Sequence, residues 1–301
     1  MIELNNIYNM DCMEGMNQLE DNSVDLIITS PPYNNYHNRR TQKRREDYWK
    51  RTNINYDNYN DKMSDEEYMD WQIKVINEML RVLKPTGTIA YNHKDRIYNF
   101  EALSPLQWIL QTNAVFRQRI TWDRCGMQAY NPVRFYRVEE DIYILGKQAK
   151  GFTWNKDCAK YLSVWRINPS SKKDGHPCSF PEEIPDRFIR AFSNEGDVVL
   201  DPFMGSGTVA KVAKELNRNY IGFEISPEYC KMANDRLKNC ENELTDKIVW
   251  KNMILDFHRN LIESLGFELL YSDYMKTSGL KYGNNSDRRV DGEYILTFKK
   301  G

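Results

Sequence analysis

The stretch Thr29-Ser30-Pro31-Pro32-Tyr33-Asn34 ends an apolar run over residues 24–28 with an unusual hydrogen-bonding inventory. A residue before proline is pushed toward an extended backbone, and proline carries no N–H. The turn therefore offers carbonyl oxygens and the Ser30 hydroxyl, with few competing donors. Such a site suits a ligand amino group, and the Tyr33 ring gives a flat surface on which a heterocyclic base can stack. Taken alone, Ser30, Pro31, Pro32 and Tyr33 are better read as an ordinary strand-ending turn or a short polyproline segment.

A second stretch changes the weighing. An apolar strand over 197–200 runs into Asp201-Pro202-Phe203-Met204-Gly205-Ser206-Gly207-Thr208, and a helix with Val209, Val212, Ala213 and Leu216 on one face leaves it. Gly205 and Gly207 let the backbone approach a ligand at a helix N-terminus. A strand over 219–223 then ends at Glu224, about twenty residues beyond the turn, where such folds place an acid on ribose hydroxyls. The spacing points to a nucleoside-containing cofactor, with a capping or surface carboxylate as the alternative for Glu224. Asp11 ends an earlier strand over 7–10 and is either a ligand carboxylate at the sheet's carboxyl edge or the cap of a helix over 13–19.

Positioning these loops requires strands alternating with helices. Ser64-Asp65-Glu66-Glu67 is a capping box, and Met69, Ile73, Ile76, Leu80 and Leu83 recur at helical spacing until Lys84-Pro85-Thr86-Gly87 stops the helix. Residues 88–91 read as a strand, 103–112 as a helix, 115–122 and 141–145 as long strands, and 151–177 as loop. Pro181-Glu182-Glu183 opens a helix with Ile184, Phe188, Ile189 and Phe192 on its apolar face, and Ser226-Pro227-Glu228 opens another.

In this order the two motifs resemble those of the S-adenosylmethionine-dependent DNA amino-methyltransferases of the circularly permuted beta class. Thr29–Asn34 looks like the family's catalytic loop and Asp201–Thr208 like its cofactor loop, and the likeness extends through Lys84–Gly87 and through His176-Pro177-Cys178-Ser179-Phe180-Pro181-Glu182-Glu183. It covers residues 1–240, discontinuously. It implies an α/β, Rossmann-like class I methyltransferase fold, with a seven-stranded, mostly parallel sheet and an antiparallel hairpin. By family position Asp11 and Cys12 would hold the adenine, Glu224 the ribose, and Asp201, Phe203, Gly205, Ser206, Gly207 and Thr208 the rest of S-adenosylmethionine; Ser30, Pro31, Pro32 and Tyr33 would hold a flipped-out base. The Ser-Pro-Pro-Tyr form favours cytosine N4 over adenine N6. A methyltransferase acting on RNA or on protein glutamine, and a DNA-binding module with a dead methyltransferase fold, are the rivals. Cys178 follows a proline, as the nucleophile of cytosine-carbon methyltransferases does, but in another motif, and reads as a packing cysteine.

The domain reading is a catalytic domain over 1–244 and a C-terminal extension over 245–301. The domain comprises a catalytic half, 1–150, and a cofactor half, 176–244. The extension repeats the helix–strand–loop–strand pattern of 109–145, by chance or as a recognition or dimer unit. Within the catalytic half, the insertion 34–62 carries Arg39, Arg40, Lys43, Arg44, Arg45, Lys50 and Arg51 interleaved with Tyr36, Tyr48, Trp49, Tyr56 and Tyr59. That mixture reads as a phosphate-binding arm rather than as a solvated loop, and the resemblance implies double-stranded DNA as its partner.

Composition sets the limits. With 42 Lys plus Arg against 43 Asp plus Glu, the net charge of −1 gives no global pull toward nucleic acid, so binding must use local patches. The six cysteines show no closely spaced metal-ligand pairs, so no metal is expected, and they read as reduced thiols of a cytoplasmic protein. The N-terminus lacks the features of a signal peptide, and no apolar run approaches membrane-spanning length. A homodimer and a companion restriction endonuclease are left open.

Overall fold

The computed structural model describes residues 2–34, 63–98, 101–126, 135–169, 180–238, 240, 267–275 and 293–300. Arg39, Arg40, Lys43, Arg44, Arg45, Lys50, Arg51 and Cys178 lie outside the described residues. The chain divides into two compact units, Met1–Cys240 and Glu241–Gly301.

In the first unit, β1 (Asn6–Tyr8) leads to α1 (Cys12–Asn17), and β2 (Val24–Thr29) carries the apolar run into Ser30. α2 (Asp65–Val82) begins at the expected capping box, with the Ser64 hydroxyl accepting from Glu67 N–H and the Glu67 carboxylate accepting from Ser64 N–H. β3 (Leu83–His93) follows at once, then a small hairpin of β4 (Arg96–Tyr98) and β5 (Glu101–Leu103), and α3 (Leu106–Ile109). β6 (Val115–Asp123), β7 (Glu139–Gly146) and β8 (Val164–Arg166) come next, then α4 (Glu183–Phe192), β9 (Val198–Asp201), α5 (Thr208–Glu215) and β10 (Asn219–Phe223). A last helix, α6, covers residues 227–238.

These strands form an eight-stranded sheet in the order β1-β10-β9-β2-β3-β7-β6-β8. The run from β1 to β3 is parallel; β7 is antiparallel to β3 and to β6. Successive residues of β2 divide between two cores: Leu26 and Ile28 pack into the cluster with α4, α5 and α6, and Ile27 into the cluster with α1, α2 and α3. A central strand covered on both faces reads as a continuous apolar run for this reason.

Three expectations are corrected. The sheet has an eighth strand, because β8 lies within the stretch read as loop and pairs with β6. Three residues are too few to show a period; Trp165 fixes this strand by packing on Phe188 at 5.0 Å. The same stretch also holds a 3-10 turn, Lys156–Lys160. The helix expected over 103–112 contracts to α3, since Ser104 precedes Pro105 and is held from helical backbone. Lys84–Gly87 is not a simple stop but a bulge within β3, where Val24 pairs with Leu83 and Leu26 with Thr88.

In the second unit, β11 (Phe267–Met275) and β12 (Glu293–Lys300) form an antiparallel pair.

Candidate active site

The permuted sheet gathers the chemistry at one edge. Asp11 follows β1, Ser30 follows β2, Asp201 closes β9 and Glu224 follows β10, so all four lie at the carboxyl ends of parallel strands, where open α/β sheets take ligands. Antiparallel pairing brings the start of β7 to the same edge, with His93 opposite Asp141 and Trp122 opposite Glu140.

The two motif loops meet directly. The Thr29 hydroxyl donates to Asp201 Oδ1 at 2.8 Å, and Phe203 N–H donates to the same oxygen at 3.0 Å. Asp201 Oδ2 has no partner among the described residues. Burial raises the Asp201 carboxyl to about 7, against the opposing pull of those two donors. Glu224 accepts from Gly205 N–H at 2.8 Å and from Ser226 N–H at 2.9 Å, one bond to each oxygen. Burial raises its pKa too. Each oxygen retains a lone pair for a further donor. Gly205 and Gly207 have φ of +53° and +81°, the left-handed region that favours glycine. A Cβ on Gly207 would come within 2.8 Å of Ala233 Cβ, so this glycine also lets α5 approach α6.

Other expected cofactor residues are engaged within the protein. Asp11 caps α1, accepting from Met13 N–H at 2.8 Å and Glu14 N–H at 3.3 Å through Oδ1, which leaves Oδ2 outside that cap. Cys12 is buried, and burial pushes its thiol pKa up, so it is a packing thiol rather than a thiolate. The Thr208 and Ser206 hydroxyls accept from Arg236 at 2.9 and 3.3 Å, which ties the turn to α6 and leaves each hydroxyl its own proton to donate. Phe203 meets the Trp71 ring edge-on at 5.8 Å, bringing α2 to the cofactor loop.

At the other motif, Ser30 Oγ lies 2.9 Å from the Tyr33 hydroxyl, which donates to Glu140 Oε2 at 3.0 Å. Asn92 Nδ2 reaches Tyr33 at 2.8 Å, Glu140 Oε2 at 2.9 Å and Ser30 Oγ at 3.3 Å. Arg124 pairs with Glu140 Oε1 at 2.8 Å and lies over the Trp122 ring. Burial, and next the Glu140 charge, hold the Tyr33 phenol well above its usual pKa. The Tyr33 ring packs at 4.4 Å from His93, whose pKa burial lowers to about 3. The Pro32 carbonyl accepts from the Tyr68 hydroxyl at 2.7 Å, and Gln72 Nε2 donates to that hydroxyl at 2.7 Å. Asn34 Nδ2 donates to Met63 O at 2.8 Å, so the insertion leaves and rejoins the domain at one point beside the turn.

Sequence reasoning missed Thr29, Tyr68, Trp71, Asn92, Arg124 and Glu140. The available signal was polar residues at the ends of buried strands: Asn92 and His93 close the apolar β3, and Glu139-Glu140-Asp141 open the apolar β7.

A doubly wound sheet with a glycine turn facing the buried Asp201 and the half-buried Glu224, beside a proline turn with a serine hydroxyl, is the arrangement expected of a transferase that uses a nucleoside cofactor. The chain belongs to the N6/N4 DNA methylase family, whose profile it matches over residues 24–235. It is 30% identical to the Type II methyltransferase M.HpaI of Haemophilus parainfluenzae, across 96% of both chains. It is also 30% identical to the DNA adenine methyltransferase YhdJ of Escherichia coli (strain K12), over 78% of this chain and 83% of that one. In fold it resembles the PvuII DNA methyltransferase (cytosine-N4-specific), with a TM-score of 0.61 and 18% identity, covering 80% of this chain and 92% of that one. The protein is thus a DNA methyltransferase of class I, Rossmann-like fold, and its methyl donor is S-adenosylmethionine. Among the described residues no metal-binding cluster is present and no helix is long and apolar enough to cross a membrane.

Proposed function

We propose that the protein methylates the exocyclic N4 of cytosine at a specific site in double-stranded DNA, acting on a base flipped out of the helix. The observation that carries amino-group methylation is the acceptor set at the turn after β2, a Ser30 hydroxyl tied to Tyr33 and a backbone without proline N–H groups; it serves cytosine N4 and adenine N6 alike, and the Ser-Pro-Pro-Tyr form of the turn is what favours cytosine. S-adenosylmethionine supplies a sulfonium methyl group. Asp201 Oδ2 offers a carboxylate oxygen to its ammonium end and Glu224 its remaining lone pairs to the ribose, with Gly205 and Gly207 allowing close backbone approach. Asp11 Oδ2 and the Cys12 backbone serve the adenine. Ser30 and the Pro31 carbonyl accept from the target amino group, which frees its lone pair from the ring to attack the methyl carbon as the carbon–sulfur bond breaks; the nitrogen, made acidic by the new methyl group, then gives up a proton. Alignment and preorganised acceptors supply the acceleration, without a covalent enzyme intermediate. The target base must leave its stack to reach this edge.

The basic insertion, whose ends meet at Asn34 and Met63, serves as the DNA arm. The Type II name of one relative supports a restriction–modification role, and we include a companion endonuclease and a cytoplasmic location in the same proposal. We include dimerisation through the C-terminal unit in the same reading. Adenine N6 is the second reading, favoured by the likeness to the adenine methyltransferase. Mass spectrometry of nucleosides from DNA methylated by the protein separates the two: N4-methylcytosine is expected, and N6-methyladenine alone overturns the base assignment. Label on RNA or protein in place of DNA, or no label at all, overturns the wider reading.

A further inference from the structure

We infer that Glu140 is a positioning residue that fixes the direction of the hydroxyl protons at the reactive turn, so that Ser30 Oγ faces the target base only as an acceptor. The inference rests on the methyltransferase reading of that turn. Proton counting carries it. A carboxylate accepts and cannot donate, so the proton between Tyr33 and Glu140 Oε2, 3.0 Å apart, belongs to Tyr33. A phenol has one proton. The proton in the 2.9 Å contact between Ser30 and Tyr33 must then be the serine's. Ser30 Oγ is left with lone pairs alone, and its 3.3 Å contact from Asn92 leaves room for an amino hydrogen.

Asn92 shows that the carboxylate rules this cluster. Turning its amide over would set Oδ1 against Glu140 Oε2, two acceptors face to face. The structure instead directs Nδ2 at Glu140 and leaves Asn92 Oδ1 buried with no partner, an arrangement that is costly unless the charge it serves dominates. Arg124, partly exposed, holds the other oxygen of Glu140 at 2.8 Å. The other charged or titratable groups facing Tyr33 among the described residues are Lys94, at 5.1 Å from its ring centroid, His93 and Tyr68. Burial and the Glu140 charge oppose ionisation of Tyr33, so its proton stays in place.

A carboxylate that only filled space would be replaced best by its isostere, and one that sets proton direction best by another carboxylate. Glu140→Gln keeps the shape and loses the charge; Glu140→Asp loses a methylene and keeps the charge. The experiment measures transfer of tritiated methyl from S-adenosylmethionine to unmethylated plasmid DNA under single-turnover conditions, with cofactor affinity by calorimetry as the check on folding. We expect Glu140→Gln to lose about a hundredfold in rate, Glu140→Asp to lose less, and cofactor affinity to hold in both. Tyr33→Phe, which breaks the same chain one link earlier, should fall with Glu140→Gln and carries the test if that variant does not fold. Labelling by the wild type with Glu140→Gln as fast as Glu140→Asp, or with Tyr33→Phe at full rate, overturns the inference and leaves the methyltransferase reading standing. A wild type that labels no DNA overturns both.

Discussion

Ser30 and Asp201 carry the two ends of the proposed reaction, and their surroundings set different expectations for replacing them. Ser30→Ala removes one preorganised acceptor without disturbing the cofactor loop. Turnover should fall by about a hundredfold, as when one oxyanion-hole partner is lost, with S-adenosylmethionine affinity near wild type. Steady-state kinetics with cofactor titration checks both, and a fall confined to cofactor affinity would refute the assignment. Asp201 is a carboxyl raised to about 7 by burial. Its unfolded pKa is about 3.9, so between about pH 4 and 7 the unfolded chain gives up this proton before the folded one does. The stability contribution is therefore complete below about pH 4, declines as pH rises, and is gone above about pH 7, a change of a few kcal/mol. Asp201→Asn keeps an oxygen for Thr29 and Phe203 and cannot ionise. Its melting temperature relative to wild type should rise between pH 5 and about 7.5, with S-adenosylmethionine binding weakened. Parallel melting curves for the two proteins across that range would exclude a titrating Asp201.

At the scale of elements, α2 matters less for its length than for the turn it holds. Trp108 Nε1 donates to the Tyr91 hydroxyl, Tyr91 to Gln72 Oε1, and Gln72 Nε2 to the Tyr68 hydroxyl, which meets the Pro32 carbonyl. Tyr68→Phe should take a partner from Gln72, from the buried His93 and from the half-buried Pro32 carbonyl and cost about 1–3 kcal/mol of stability, while lowering turnover through a loosened turn. Urea unfolding measures the first effect and kinetics the second; unchanged values for both would show that the turn stands without α2. This helix was legible in the sequence because its signals are local: a capping box and an apolar stripe. The loops at Ser30 and Asp201 were legible because a proline pair and a glycine turn announce themselves over a few residues. What joins them was not. Thr29 and Asp201 are 172 residues apart, and Tyr33 and Glu140 are 107 apart, so no periodicity or spacing could pair them. β8 escaped for the opposite reason, being local but only three residues long.

For the whole molecule, the two core clusters and the site loops found among the described residues lie in the unit Met1–Cys240. DNA engagement is a separate matter. Neutralising several of the seven Lys and Arg residues between Arg39 and Arg51 should weaken DNA binding across sequences and flatten its salt dependence, with cofactor affinity unchanged. A salt slope equal to that of the wild type would remove this arm from the interface. The C-terminal unit poses the remaining question: among its described residues β11 and β12 make a two-stranded sheet, and a hairpin needs further packing to be stable in water. In the reading proposed above, this unit serves recognition of DNA or pairing with a second copy. A chain ending at Cys240 should therefore bind S-adenosylmethionine as the full chain does and fail to methylate DNA. Calorimetry and tritium transfer measure the two, and ultracentrifugation of both chains tells a lost dimer from a lost DNA contact. Full methylation by the shortened chain would leave the C-terminal unit without a part in the reaction.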